Sequence, residues 1–296
     1  MPLNDPTTGL PPELHTDAAL RERAYSPSSC IGGDYRPFVA AYRQRSEEAR
    51  ARAAALGGRW QRVACGPLAS QAIELCLPPA GGPPAALLVF IHGGYWQELS
   101  AADSLFAAAA CLERGHAFAA LDYTLAPRAS VADIVAECRL ALGWLHAHAE
   151  TLGLDRARLV VAGSSAGAHL AAMVSGADAP WRPRAALLVS GVYWLEPLVG
   201  TSINDALGLD AEAAARVSPG RLPLAGFADA SVCWGAVETD AFKAQSRCFG
   251  QALRAAGARC DEFEVPGRNH FDVILDLADE GTALGAAAQR ALAGVP

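Results

Sequence analysis

The stretch Leu159–Leu170, which reads LVVAGSSAGAHL, contains the signal on which the fold prediction depends. Its first four residues are apolar and predict a short buried strand, while the run that begins at Ala168 is compatible with a helix. Between them lies the turn Gly163-Ser164-Ser165-Ala166-Gly167. Side chains two positions before and after the tip of such a turn would clash, so glycines there allow the Oγ of Ser165 to project above the sheet. A turn centred on Ser164 would have alanine at both positions, and Ser165 is therefore the candidate nucleophile.

A strand, a tight turn with the pattern G-x-S-x-G and a helix together resemble the nucleophile elbow of the α/β-hydrolases. Elsewhere, apolar strands such as Ala86–Ile91 alternate with predicted helices such as Ala101–Arg114 and Phe271–Ala293. This alternation is typical of a mostly parallel, doubly wound sheet with helices on both faces. The sequence therefore predicts an α/β protein with the α/β-hydrolase fold, which begins with an antiparallel pair of strands at 60–65 and 71–77.

The length of 296 residues suits one large α/β domain, and we interpret residues 1–296 as a single hydrolase domain. Residues 1–58 form an N-terminal arm and helix. The first part, 1–37, is rich in proline, serine, threonine and aspartate and is expected to be extended, whereas 38–57 has helical periodicity. Residues 192–229 separate two strands and are long for a connection, which predicts a short lid insertion with short helices.

Charge and composition argue against a nucleic acid or a membrane as partner. The sequence has 24 Lys and Arg against 31 Asp and Glu, a formal net charge of −7, and no basic cluster. No apolar run approaches the roughly 18 residues that a membrane span needs, and residues 1–20 lack the features of a secretory signal. The eight cysteines are scattered, and the close histidine pair His146 and His148 has poor spacing for a metal. We therefore expect a cytoplasmic protein without metal or cofactor; the sequence leaves a homodimer open.

A serine nucleophile requires a base, and the base requires an orienting acid. In the α/β-hydrolases the chain order is serine, acid, histidine, and His270 is the histidine that follows the last predicted strand. The loop after the preceding strand contains two carboxylates, Glu238 and Asp240. We favour Glu238, which lies nearer the strand end, because Asp240 precedes a predicted helix and can instead stabilise its N-terminus.

The oxyanion hole requires backbone N–H donors aimed at the substrate oxygen. One is expected from Ala166, which follows the nucleophile. The other is expected from the loop His92-Gly93-Gly94-Tyr95-Trp96 after the strand Ala86–Ile91, because Gly93 and Gly94 permit a close approach of the backbone.

This loop, HGGYW, also resembles the HGGxW signature of the kynurenine formamidases, or arylformamidases, rather than the HGGG of hormone-sensitive-lipase-like esterases. Other segments are similar to the same family, and the resemblance extends from about Tyr25 to the C-terminal helix. These segments are Leu121–Pro127, the elbow Gly163–Leu170, Ser190–Tyr193, Leu195–Leu198, Ser218-Pro219, Gly235–Phe242 followed by Gln245-Ser246, and Asn269–Phe271.

The resemblance implies hydrolysis of the formamide of N-formyl-L-kynurenine, in tryptophan degradation, by a metal-free triad. Ser165 is then the nucleophile, Glu238 the acid and His270 the base, with the oxyanion hole at Gly93, Gly94 and Ala166. The sequence departs from the expected family pattern at Trp194, where a small or acidic residue is expected. It also offers no arginine that can be assigned to the carboxylate of the substrate.

Candidate substrate-binding residues are His92, Tyr95, Trp96, Tyr193 and Trp194, whose aromatic rings can stack on an aryl formamide or ester. The same rings can equally pack the insertion against the sheet. The alternative function is a carboxylesterase for small acyl or aryl esters, which would use the same triad. A catalytically inactive hydrolase fold that only binds a ligand is disfavoured, because serine, acid, histidine and the paired glycines are all present in order.

Overall fold

A sheet of eight strands forms the centre of the computed structural model, which describes residues 17–176, 179 and 181–294. The strands are Arg59–Ala64 (β1), Ala72–Leu77 (β2), Ala85–Ile91 (β3), Ala117–Leu121 (β4), Leu154–Ser164 (β5), Ala185–Val189 (β6), Asp229–Val237 (β7) and Arg259–Asn269 (β8). Their order is β1-β2-β4-β3-β5-β6-β7-β8. β2 runs antiparallel to its neighbours β1 and β4, and all other neighbouring pairs are parallel. The predicted mostly parallel sheet is confirmed.

Helices cover both faces of this sheet. The α-helices are Ala18–Ala24 (α1), Arg36–Ala55 (α2), Ala108–Leu112 (α3), Val131–Leu152 (α4), Ala166–Ser175 (α5), Asn204–Leu207 (α6), Ala211–Arg216 (α7), Asp240–Ala255 (α8) and Ala283–Ala293 (α9). The 3₁₀-helices are Pro27–Ile31, Ala101–Ser104, Glu196–Leu198, Pro219–Arg221 and Val273–Ala278. Along β3, Leu87 and Val89 pack into one apolar core with α4 and α5, whereas Leu88 and Phe90 pack into a second core with α2, α3 and α9. Because both faces are buried, the strand is apolar throughout.

The N-terminal region differs from the extended arm that the sequence predicts for residues 1–37. Residues 1–16 lie outside the described residues. The part that follows is helical, consisting of α1 and a 3₁₀-helix. The side chain of Asp17 caps α1 by accepting a hydrogen bond from the N–H of Ala19 at 2.8 Å. The extended prediction is therefore wrong here, because a polar side chain read as a feature of an arm begins a helix.

Two helices that the sequence predicts as continuous are interrupted. In the predicted helix Ala101–Arg114, the N–H of Leu105 donates to the Oγ of Ser46 at 2.9 Å, and a 3₁₀-helix ends at this point before α3 begins. In the helix predicted after β8, a 3₁₀-helix is followed by a turn, and α9 starts anew. The Oγ1 of Thr282 caps it by accepting the N–H of Gly285 at 3.0 Å.

The segment 192–229, predicted as a lid insertion, connects β6 to β7 and contains α6, α7 and two 3₁₀-helices. Its first residues are buried, and Tyr193 and Leu195 are fully inaccessible to solvent. The Oε1 of Gln245 on α8 accepts the N–H groups of Tyr193 and Trp194 at 2.8 and 3.0 Å. The start of the segment is therefore fixed to α8, and its role as a lid stays a prediction.

Three further features of the described residues concern membrane-spanning helices, disulfides and metal binding. None of their helices combines the length and apolarity needed to cross a bilayer. All eight cysteines are free thiols. Within the same described ranges, no group of three or more His, Cys, Asp or Glu side chains is arranged to hold a metal ion.

Candidate active site

Ser165 occupies a strained turn between β5, which ends at Ser164, and α5. Its φ of 57° lies in a region that side-chain-bearing residues rarely adopt. The two flanking glycines are required by close backbone contacts. A Cβ on Gly163 would lie 2.1 Å from the carbonyl oxygen of Gly167, and a Cβ on Gly167 would lie 2.0 Å from the carbonyl oxygen of Ile91. The crowding inferred from the sequence is therefore present.

Gly167→Ala is expected to destabilise the protein by about 3 kcal/mol or more, because the clash is with backbone atoms of a central strand that cannot move aside. Gly143→Ala is the matched control, since Gly143 lies within α4 and has no heavy atom within 4 Å of an added Cβ. Alanine there should stabilise the helix by up to about 1 kcal/mol. Chemical denaturation measures both changes, and equal stabilities for the two variants would contradict the close approach at the elbow.

The candidate acid and base are in direct contact. Glu238 follows β7 and His270 follows β8, so the adjacent parallel strands bring both to the same edge of the sheet. The Nδ1 of His270 lies 2.9 Å from the Oε2 of Glu238, and the two side chains are 5% and 0% exposed. In this geometry the carboxylate accepts the Nδ1–H, which leaves Nε2 without a hydrogen and able to accept one.

The second carboxylate oxygen of Glu238 is held in place by two donors to which the sequence pattern gives no role. Its Oε1 accepts the N–H of Gly235 and the hydroxyl of Ser190, both at 2.6 Å. The alternative acid, Asp240, is exposed at the start of α8, after the N-cap Thr239. A carboxylate in that position favours the helix dipole. Glu238, and not Asp240, is therefore the residue that contacts His270.

The loop after β3 approaches the elbow closely. A Cβ on Gly93 would lie 2.7 Å from the carbonyl oxygen of Ser164, and one on Gly94 would lie 2.5 Å from that of Glu98. Gly94 also has a φ of 88°, which favours glycine. On the other side, Ala166 is the first residue of α5, so its N–H is among those without a partner inside the helix. The loop after β3 and the start of α5 therefore lie close to the serine, and their role as an oxyanion hole stays a prediction.

A cavity of about 430 Å³ lies at the elbow. Ser165 and His270 line it together with four other predicted site residues, which are His92, Gly93, Gly94 and Tyr95. His92, the first residue of the loop, is buried, and burial lowers its pKa. The hydroxyl of Tyr123 donates a hydrogen bond to the carbonyl oxygen of His92 at 3.0 Å and thereby stabilises the start of the loop.

Three predicted substrate-binding residues do not reach this cavity. Trp96, Tyr193 and Trp194 are fully buried and are absent from its lining. Tyr193 stacks on Phe249 at a ring distance of 4.0 Å, and Trp194 meets the same ring edge-on. The prediction of substrate contact is corrected for these residues, because their rings pack the insertion and the loop against the core. Trp194, at which the sequence departs from the family pattern, therefore does not narrow the cavity.

Trp96 takes part in a buried chain of hydrogen bonds that joins the loop, the elbow helix and the insertion. Its Nε1–H donates to the Nδ1 of His169 on α5 at 3.3 Å. The Nε2 of His169 therefore carries the proton and donates it to the carbonyl oxygen of Val217 at 2.6 Å. Burial lowers the pKa of His169 to about 4, so the neutral ring that this chain requires persists at neutral pH.

This burial predicts a pH-dependent stability. Because the pKa of His169 is about 4 in the folded protein and about 6.5 in the unfolded chain, the unfolded chain binds a proton first as the pH falls. The associated stability, up to about 3 kcal/mol, is present above pH ~6.5 and is lost towards pH ~4. His169→Gln removes this titration, so its unfolding free energy should vary less with pH between these values. Parallel stability curves for parent and variant would contradict the prediction.

One wall of the cavity comes from the N-terminal region, which sequence reasoning did not connect with the site. The lining includes Glu22, Tyr25, Ser28, Tyr35 and Tyr42. The carbonyl oxygen of Tyr25 accepts the hydroxyl of Tyr95 at 2.5 Å, and its own hydroxyl accepts the Nε2–H of Gln245 at 2.8 Å. These partners lie 70 and 220 positions away from Tyr25 in the sequence, so the residues around Tyr25 do not predict the contacts.

Comparisons with known proteins bear on the family and the fold of this chain. Residues 73–179 match the BD-FAE family. The chain is 30% identical to the kynurenine formamidase of Danio rerio over 273 residues, which cover 88% of this chain and 89% of that protein. It is 28% identical to the carboxylesterase NlhH of Mycobacterium tuberculosis, over 74% of this chain and 78% of that protein. A solved structure of a candidate thioesterase from Silicibacter sp. TM1040 has a TM-score of 0.79 at 28% identity, covering 90% of this chain and 98% of that one. The predicted fold is thereby confirmed.

Proposed function

The chain belongs to the kynurenine formamidase family, and on that premise we propose that it cleaves the formamide of N-formyl-L-kynurenine to give kynurenine and formate. It is a hydrolase with the α/β-hydrolase fold. The observation that carries the proposal is the buried contact of 2.9 Å between His270 and Glu238, with His270 and Ser165 on the wall of one cavity.

In the first half of the reaction, the Oγ of Ser165 attacks the formyl carbon while the Nε2 of His270 takes the serine proton. Glu238 accepts the Nδ1–H and stabilises the imidazolium that forms. The N–H of Ala166, together with the backbone at Gly93 and Gly94, stabilises the negative charge on the former carbonyl oxygen. His270 then donates its proton to the leaving aryl amine, and a formyl group remains on the serine.

In the second half, water attacks the formyl-enzyme with His270 as the base. The tetrahedral intermediate occupies the same oxyanion hole as before, and its collapse releases formate and regenerates the serine. Glu238 again stabilises the imidazolium. Every group that this cycle uses belongs to the protein or is water.

The second candidate function is a carboxylesterase, which the 28% identity to the mycobacterial carboxylesterase favours. Ester and amide cleavage use the same nucleophile, base and oxyanion hole. The two reactions differ in the leaving group, because an aryl amine has to be protonated as it departs.

The stoichiometry of the products tests the proposal. We expect one formate and one kynurenine for each N-formyl-L-kynurenine that the purified protein consumes. If no formate appears at protein concentrations that readily hydrolyse p-nitrophenyl acetate, the formamidase proposal fails and the esterase replaces it.

A further inference from the structure

The ionisable groups on the cavity wall include carboxylates but no permanent cation. Of the described residues that line the cavity, Glu22 and Glu98 are acidic, and none is a lysine or an arginine. The stretches of sequence outside the described ranges contain neither lysine nor arginine. The substrate of the proposed reaction, however, carries both an ammonium group and a carboxylate on its side chain. The cavity is therefore suited to the first of these charges and not to the second.

Arginines adjacent in sequence to cavity residues do not line it. Arg36, next to Tyr35, makes a two-pronged contact with Asp34 at 2.8 and 3.0 Å. Arg43 pairs with Asp103 at 2.8 Å. Arg21, next to Glu22, donates to a backbone carbonyl oxygen at 2.9 Å. Recruiting any of these three for a substrate carboxylate would break a contact that it already makes. Arg23, which also adjoins Glu22, is exposed and does not line the cavity.

Glu98 is hydrogen-bonded to an aromatic residue of the cavity wall. Both of its carboxylate oxygens accept the hydroxyl of Tyr35, at 3.0 and 3.2 Å. The Tyr35 ring stacks on Phe271, the residue after His270, at 5.7 Å and an interplanar angle of 8°. A phenol hydroxyl does not neutralise the carboxylate. Carboxylates and aromatic faces both attract cations, so this part of the wall has the composition of an ammonium site.

Glu22 differs from Glu98 in what its carboxylate holds. Its two oxygens accept the N–H and the hydroxyl of Ser202, at 2.7 and 2.5 Å. Glu22 therefore anchors the insertion to α1, while it adds to the negative potential of the cavity. Glu98 is exposed at the cavity and is the carboxylate available to a ligand.

We propose that the cavity recognises its substrate by the ammonium group, through Glu98 and the adjacent Tyr35 and Phe271, and that the substrate carboxylate has no partner in the site. This inference rests on the proposed formamidase function. It defines the substrate class as aryl formamides whose side chain ends in an ammonium group, with or without a carboxylate. It also accounts for the absence of an arginine assignable to that carboxylate.

A series of four formamides tests the inference on the unmodified protein. All are 2-formamidophenyl ketones, and their side chains end in both charges, as in N-formyl-L-kynurenine, in the ammonium alone, in the carboxylate alone, or in neither. We expect kcat/KM for the ammonium-only compound to equal or exceed that for the compound with both charges. It should exceed that for the carboxylate-only compound by about tenfold or more, the effect of one attractive and one repulsive charge at a part-exposed site. A carboxylate-only compound that is cleaved as well as the ammonium-only one would overturn the inference.

The variant Glu98→Gln tests whether Glu98 is responsible for the preference for ammonium compounds. The ratio of kcat/KM for the ammonium-only and uncharged compounds should fall by about three- to tenfold in this variant. Glu47→Gln is the matched control, because it makes the same charge change at an exposed position of α2 outside the cavity lining, and its ratio should equal that of the parent. Equal ratios for parent and Glu98→Gln would overturn the role of Glu98.

The corresponding acetate esters, with an oxygen-linked acetyl group in place of the formamide, separate this inference from the proposed function. If only the esters are cleaved and they show the same charge preference, the formamidase function fails and the recognition of ammonium stands. If the formamides are cleaved without charge preference, the function stands and the inference fails. A protein that cleaves neither series overturns both.

Discussion

Ser165→Ala is expected to lower kcat/KM by about 10⁴-fold or more, for N-formyl-L-kynurenine and for p-nitrophenyl acetate alike. The reason is that both reactions form their acyl-enzyme on the same oxygen. The variant retains the cavity and the buried contact of His270, so substrate binding should persist while turnover is lost. Steady-state kinetics measure the loss, and the thermal unfolding midpoint confirms that the variant is folded.

The neighbouring serine provides the comparison for this prediction. Ser164 is the other serine in the turn, at the end of β5, and its substitution by alanine should cost far less activity than that of Ser165. If Ser164→Ala is the inactive variant, Ser164 and not Ser165 is the nucleophile. If Ser165→Ala keeps a substantial fraction of the parent activity, a serine nucleophile at this position is excluded.

Glu238→Gln is expected to lower kcat by about 10³- to 10⁴-fold with little change in KM. The N–H of Gly235 is a fixed donor to one carboxylate oxygen at 2.6 Å, so the carbonyl oxygen of the glutamine has to occupy that position. The amide NH₂ then faces the Nδ1 of His270 and donates to it, which moves the ring proton to Nε2. A ring protonated at Nε2 cannot accept the proton of Ser165. Glutamine has nearly the same shape as glutamate and leaves no cavity. The loss of kcat is therefore due to the change of tautomer.

Asp240→Asn is the matched control for this second prediction. It makes the same chemical change two residues away, at the exposed first turn of α8. Removing a carboxylate there is expected to cost about 0.3–1 kcal/mol of helix stabilisation and to leave turnover within about twofold of the parent. An inactive Asp240→Asn beside an active Glu238→Gln would reverse the assignment of the acid.

The parts of the site that the sequence predicts are those that depend on local backbone and on chain order. The elbow glycines follow from the G-x-S-x-G pattern of the turn, although the contact that requires Gly167 is made with Ile91 on β3. Glu238 and His270 follow from their positions after the last two predicted strands. The choice between Glu238 and Asp240 needed coordinates, because both carboxylates lie in one short loop. The contact of 2.9 Å between His270 and Glu238 shows which of them is the partner, and the Gly235 N–H and the Ser190 hydroxyl hold that carboxylate in place.

The parts that the sequence does not predict depend on contacts between distant segments. An aromatic ring such as Trp96 suits a binding site and a core equally well, and its burial follows from His169, 73 positions later. The N-terminal wall of the cavity has the same origin, since Tyr25 is fixed by Gln245 on α8. The break in the helix predicted from Ala101 follows from Ser46, 59 positions away from Leu105. Composition and periodicity carry no information on such partners.

The central claim is that this hydrolase is a formamidase, and a comparison of two substrates tests it most directly. We would measure kcat/KM for N-formyl-L-kynurenine and for p-nitrophenyl acetate with the same preparation of the purified protein, and repeat both measurements with Ser165→Ala. A higher kcat/KM for the formamide, with both activities lost in the variant, is the predicted result. Turnover of the ester with negligible turnover of the formamide would contradict the claim and identify the protein as an esterase that uses the same residues.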